Sequence, residues 1–225
     1  MFKKFCLWLL PMFLMALTPG FSHANTIEDP IAYYPFNGNA NDESGNGNNG
    51  TVNGAQLTSD RFGNPNSAYL FDGNDDYINC GNSNDFNIGN SFTVSAWVQT
   101  ESNSGVIFIK KDPGAENKYL KISADGAIIH YLYPTAGATA TGYGNVPLNE
   151  WTHIAATYDG SEITIYKNGG IVTSFSASGN VSDSNANLYI GMNVDQNSSP
   201  FHGKIDDLSF YSRALTQTEI QQLSS

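Results

Sequence analysis

The chain has 225 residues, 40% of them hydrophobic and 12% aromatic, with ten basic residues against twenty-one acidic for a net charge of −11. Nothing in it offers a basic face to neutralise phosphates, which argues against nucleic acid and anionic membranes as partners. Its two cysteines, Cys6 and Cys80, fall on either side of an N-terminal leader boundary, so the exported chain holds no intramolecular disulfide.

Met1 to Lys4 make a short basic start, and Phe5 to Leu17 an apolar run broken by Pro11. Ser22-His23-Ala24 then ends in the small residues that a signal peptidase reads. Residues 1–24 are expected to be a signal peptide and residues 25–225 one exported domain, secreted or periplasmic. The alternative is a retained anchor, but the run is short and proline-broken for a span of about 20 residues. Loss of the leader removes two lysines and takes the net charge to −13.

Tyr33 to Gly54 opens as a strand and passes into a stretch built almost wholly of Asn, Gly, Asp and Ser. Such a stretch turns tightly but buries no core of its own. Oxygen-bearing side chains alternate at Asp42, Ser44, Asn46 and Asn48, with Gly47 where a calcium loop places its turn glycine. The closing Glu of a helix-loop-helix calcium site is replaced by Asn53, so any further ligand must come from elsewhere. The alternative is an Asx-turn-rich connection without metal. Asp72, Asn74, Asp75 and Asp76 make a second acidic turn, read as solvated rather than as a second cation site.

From Ser67 onward, short apolar runs alternate with turn signals. Residues 67–81 read as two short strands around an Asp72-Gly73 turn, the second of them Asp76-Tyr77-Ile78-Asn79. Phe92, Val94, Ala96 and Val98 share one face of a strand whose other face carries Thr93, Ser95, Trp97 and Gln99. Gly105–Asp112 is a near-continuous apolar run, 119–133 a hairpin across Asp125-Gly126, and 151–175 a pair of runs folded at Asn168-Gly169. The run 204–212 gives the last strand, where simple alternation places Asp206, Leu208 and Phe210 on one inward face. Only 214–223 reads as helix, with Thr216 and Glu219 spaced as a capping box. Many regularly spaced strands and one terminal helix predict a single all-β sandwich. Cys80 is expected to be a buried small hydrophobe, and Trp151 a core residue.

Taken in order, A-Y-Y-P-F-N-G-N-A-N-D-E-S-G-N-G-N-N-G, A-Y-L-F-D-G-N-D-D-Y-I, F-T-V-S-A-W-V, W-T-H-I-A-A-T-Y-D-G with I-T-I-Y-K-N-G, and G-K-I-D-D-L-S-F-Y-S-R-A-L-T-Q-T-E-I resemble the laminin-G-like jelly rolls of the concanavalin A-like lectin/glucanase superfamily, in the form common in exported bacterial proteins. The resemblance implies a two-sheet antiparallel jelly-roll sandwich with a short C-terminal helix, a domain that binds glycans or proteins and often carries structural calcium. It also implies that the last strand lies beside the N-terminal one, which would make Asp206 the missing distant ligand of a calcium held by Asp42, Ser44, Asn46 and Asn48.

The expected function is a non-catalytic, calcium-stabilised, carbohydrate-binding module whose partner is extracellular carbohydrate, the alternative being a protein-interaction or adhesion module that binds a cell-surface protein. Trp97 is a candidate platform for a sugar ring, unless covered by a crossing segment, and Tyr131, Tyr133 and Tyr143 flank a loop of small residues that would form a ligand rim. Catalysis is not expected. Glu43, Glu101, Glu116, Glu150 and Glu162 are scattered, and no strand carries the alternating Glu and Asp of the hydrolase relatives. His153, within W-T-H-I-A-A, reads as a structural histidine. No membrane insertion is expected once the leader is removed.

Overall fold

The computed structural model describes residue 27 and residues 30–112, 115–122, 128–132, 146–178 and 185–225, with backbone alone for 111–112, 115–122, 128–132 and 196. Residues 1–24, expected to be a leader, and Tyr133 and Tyr143 lie outside the described residues, and Tyr131 is described in its backbone only.

Fourteen strands are described in chain order: β1 (Ala32–Tyr34), β2 (Thr51–Asn53), β3 (Gln56–Thr58), β4 (Ala68–Asp72), β5 (Tyr77–Asn79), β6 (Phe92–Thr100), β7 (Gly105–Asp112), β8 (Ala115–Ile122), β9 (Ile128–Leu132), β10 (Thr152–Tyr158), β11 (Glu162–Lys167), β12 (Gly170–Ser176), β13 (Leu188–Ile190) and β14 (His202–Tyr211). One helix follows, α1 (Gln217–Leu223). The strands form two antiparallel sheets. The larger runs β12-β11-β10-β6-β14-β4-β3, with β1 also on β14, and the smaller runs β2-β5-β13-β7-β8-β9. This is the two-sheet jelly-roll sandwich with a short terminal helix that the sequence predicts.

The alternation of β6 is realised. Phe92, Val94, Ala96 and Val98 are buried in the core between the sheets, beside Ile154 and Ala156 of β10 and Ile163 and Ile165 of β11. Burial of such side chains stabilises the fold by about 1.5–3 kcal/mol each. Tyr34, Phe36, Phe71, Phe201 and Phe210 complete the aromatic part of this core, and Cys80 sits within it, its thiol pushed up to about 12 by burial. The Asp72-Gly73 turn does not close a hairpin: β4 belongs to the larger sheet and β5 to the smaller, so the chain crosses the sandwich there. Asn168 and Gly169 both take left-handed backbone and close β11 onto β12. Trp151 is half-buried and stands outside the core, immediately before β10 begins.

Helix α1 covers part of the outer face of the larger sheet. Leu215 and Ile220 pack there on Ala155, Tyr166 and Tyr211, a second small apolar cluster. Its start is the expected capping box: Thr216 Oγ1 accepts from the Glu219 amide and Glu219 accepts from the Thr216 amide at 2.7 Å. Arg213 also donates to both oxygens of Glu219, and these donors hold the Glu219 carboxyl down at about 2 against its burial. Replacing Thr216 by Ala is expected to cost about 1 kcal/mol. In a domain of this size that is a fall in Tm of roughly 2–4 °C, measured by calorimetry.

Candidate functional site

Two polar constellations stand out, and both are anchored on the N-terminal strand. The first is the 42–48 loop. The Asp42 carboxylate is buried, and its oxygens accept the backbone amides of Tyr33 (2.9 Å), Ser44 (2.9 Å) and Asn48 (3.0 Å). Burial alone would raise its pKa, but these donors, with the Ser44 side chain, outweigh it and the pKa is lowered. Asp42 therefore organises the loop from within, and Gly47 supplies left-handed backbone beside it.

The remaining side chains converge on one atom. Ser44 Oγ (3.3 Å), Asn46 Nδ2 (3.1 Å) and Asn48 Nδ2 (3.2 Å) all point at the carbonyl oxygen of Ile31. Three donors exceed the two lone pairs of a carbonyl. Asn48 Nδ2 also lies 3.1 Å from Asp85 Oδ2. A half-turn of either amide presents oxygen in place of nitrogen, and the cluster then becomes an all-oxygen donor set of the kind calcium takes. The residues present fit that ion.

Asp206 is not part of this cluster. Between Asp206 and Ser209 the register of β14 on β6 shifts, with Asp207 and Leu208 together opposite Ala96 and Asp207 in left-handed backbone at φ 46°. This β-bulge breaks the simple alternation. Ile205, Leu208 and Phe210 reach the core, whereas Asp206 meets Arg61. Its Oδ2 is 3.2 Å from Arg61 Nη1 and its Oδ1 accepts the Asp207 amide at 2.8 Å. Both oxygens are therefore engaged away from the 42–48 loop.

The second constellation grows from that bulge. Arg61 Nη1 also bonds Asp207 Oδ2 at 2.6 Å, and the Tyr33 hydroxyl donates to Asp207 Oδ1 at 2.7 Å. The guanidinium lies over the rings of Trp97 (4.6 Å) and Phe62 (4.4 Å). Trp97 is accordingly half-buried. Its indole N–H reaches the Leu223 carbonyl of α1 at 3.3 Å and its ring meets His153 edge-on at 5.5 Å. The helix end and Arg61 cover it, so it is not an open platform for a sugar ring. Ser95 Oγ and His153 Nε2 are 2.7 Å apart in a buried pair, while His153 Nδ1 and Arg61 Nε are buried without a partner.

Between this network and the end of α1 lies a cleft of about 290 Å3. Ser95, Asp207, Ser209 and Tyr211 line its sheet side, Arg61 and Tyr33 one flank, and Gln222 and Leu223 the helix side. The sequence signal for it was present in Arg61 and in the doubled Asp206-Asp207, but their meeting depends on the bulge. The acidic turn at Asp72, Asp75 and Asp76 brings its carboxylates within 4.8 Å of one another. Its own hydrogen bonds already account for it: Asp76 accepts the Asp72 amide and Asp72 the Asn74 amide.

Burial and the neighbouring Asp207 charge push Asp206 up to about 7, against the Asp207 amide and Arg61. Burial, with Arg61 close by, depresses His153 to about 4. Folding thus favours protonated Asp206, a contribution complete below its ordinary value of 3.8 and lost as pH rises through about 7. Folding favours neutral His153, a contribution complete above 6.5 and lost as pH falls through about 4. The two oppose one another as pH drops from 6.5 to 4. Asp206→Asn removes the first, so relative to wild type its Tm is expected to fall more steeply over that window in calorimetric scans. Parallel profiles would contradict the assignment.

The chain as a whole shares its fold with solved structures. No curated protein sequence matches it. Among solved structures, domain 4 of AbnA, a GH43 extracellular arabinanase from Geobacillus stearothermophilus solved in complex with arabinotriose, is similar with a TM-score of 0.71 at 25% identity, over 88% of this chain and 98% of that one. The binding domain of Paraclostridial Mosquitocidal Protein 1 matches at TM-score 0.68 and 20% identity over 82% of this chain. The binding domain of botulinum neurotoxin serotype G matches at 0.65 and 19% over 87%. The chain spans about half the length of each of these two toxin domains, 48% and 50%, and the likeness to them concerns the fold. Among the described residues, no helix is long and apolar enough to cross a membrane. A family model of the concanavalin A-like lectin/glucanases superfamily, Laminin_G_3, matches residues 72–221, and the chain belongs to that family.

Proposed function

We propose that this protein is an exported, non-catalytic carbohydrate-binding module stabilised by calcium. The observation that carries the carbohydrate reading is the similarity, over nearly the whole of that chain, to a module solved with arabinotriose bound. The composition of the cleft supports it, because hydroxyls and an amide beside aromatic rings suit the hydroxyl edges and apolar faces of a sugar. Binding rather than hydrolysis is favoured by the carboxylates. Glycoside hydrolysis needs two flanking one bond. Among the described residues, Asp207 is the one side-chain carboxylate lining the cleft, and Asp206 is withdrawn behind it on Arg61. A basic leader followed by an apolar run supports export.

In this reading Ser44, Asn46, Asn48, the Ile31 carbonyl and Asp85 hold the calcium, and Asp42 holds the loop that presents them. The ion supplies positive charge that ties the start of β1 to the 42–48 loop and to the turn at Asp85.

The carbohydrate reading predicts hits on a glycan array. Retrieval of a protein partner by pull-down, with an array that stays blank, would favour the adhesion alternative instead. Sugar release from polysaccharides would overturn the non-catalytic reading. For the metal, chelation is expected to lower Tm by several degrees, since an ion at 100 times its Kd stabilises the native state by about 2.7 kcal/mol. Asp85→Ala and Asn46→Ala are expected to abolish that response and Asp206→Ala to retain it, read as Tm with and without chelator. An unchanged melting curve in chelator would refute the calcium.

A further inference from the structure

We propose that the cleft between the outer face of β14 and the end of α1 is the seat of a neutral sugar, one or two residues at the end of a glycan, with Phe62 as the stacking face at its rim. The proposal rests on the carbohydrate-binding reading and adds its location and ligand class.

Size limits the occupant. A cavity of about 290 Å3 lies at the low end of small-molecule sites, roughly 300–1,000 Å3, which suits a terminal unit rather than a chain lying along a groove. The polar groups are held in place before any ligand arrives. Ser95 Oγ is tethered to buried His153 and keeps hydrogen-bonding capacity beyond that contact. Asp207 is fixed by Arg61 and the Tyr33 hydroxyl. Arg61, on the flank, has a buried Nε with no partner. Rigid, already desolvated groups of this kind lower the ordering cost of binding.

Phe62 completes the set. It is the next residue after Arg61, its ring lies against the same guanidinium, and it is 69% exposed, the most exposed large hydrophobic among the described residues. An apolar face beside a polar cleft matches a sugar ring, whose faces are apolar and whose edges are hydroxyl. Charge decides between sugar classes. The guanidinium of Arg61 is already bonded to both Asp206 and Asp207, so an acidic sugar would meet the Asp207 carboxylate with no free counter-charge. Neutral sugars carry no such penalty.

The test is titration calorimetry of the protein with arabinotriose, cellotriose, maltotriose and trigalacturonate. It compares wild type with Phe62→Ala and Gln222→Trp, both exposed positions, the second filling the cleft from the helix side. Binding of at least one neutral probe, weakened tenfold or more in both variants at unchanged Tm, is the expected result. On wild type, the amide shifts of Ser95, Ser209 and Tyr211 should move with the same probe, a readout that needs no variant. Binding of a neutral probe that both variants retain, with those amides unmoved, would overturn the cleft and leave the carbohydrate reading intact. Trigalacturonate binding tighter than every neutral probe would overturn the ligand class. No binding to these probes or to any glycan of an array would overturn the carbohydrate reading, and this proposal with it.

Discussion

Strand β14 carries one residue more than its partner β6 at Asp207–Leu208, and much of the molecule follows from that insertion. Before it, Ile205 faces the core; after it, Leu208 and Phe210 do. The cost is a non-glycine residue, Asp207, in left-handed backbone. The return is a pair of adjacent carboxylates turned toward Arg61. Two like charges in a half-buried place are unfavourable unless a cation and hydrogen-bond donors answer them. Arg61 and the Tyr33 hydroxyl do so, and in doing so they join the 59–67 connection, β1 and β14 into one polar junction.

That junction explains why Trp97 is an internal support. A guanidinium held by two carboxylates needs a flat surface beneath it, and the indole of Trp97 provides one. The same ring meets His153 and reaches the last turn of α1, so the helix end, the sheet and Arg61 form a single assembly. The cleft is the space this assembly leaves open. Part of its wall is firm because Tyr33, Arg61, Asp207 and Ser95 already have structural partners, the property that separates a binding cleft from a gap between loops.

The 42–48 loop works by a different rule. Its negative charge is consumed internally, since Asp42 accepts three main-chain amides, while neutral oxygens and amides gather around the Ile31 carbonyl. Charge that shapes a loop and dipoles that face a common centre are separate roles, and ligand spacing along the chain does not distinguish them. Ile31 contributes a main-chain atom and Asp85 comes from a distant turn, so neither carries a signal in the local pattern.

The sandwich, its antiparallel strands, the inward set of β6, the Asn168-Gly169 turn and the capping box of α1 were legible in the residues themselves, because period-2 alternation, turn chemistry and capping are local. Three things were decided only in three dimensions. The bulge moved Asp206 from an expected metal ligand to a partner of Arg61, since a one-residue slip sends a strand's side chains to the other face. The docking of α1 covered Trp97, because which outer face a terminal helix occupies depends on the apolar patch of Ala155, Tyr166 and Tyr211 assembled from three strands. Chain crossing at Asp72-Gly73 placed its two strands in different sheets, since a turn residue permits a reversal without specifying a hydrogen-bonded partner. The local sequence determined which elements form. Long-range pairing determined which of their side chains meet, and the candidate sites lie where such side chains meet.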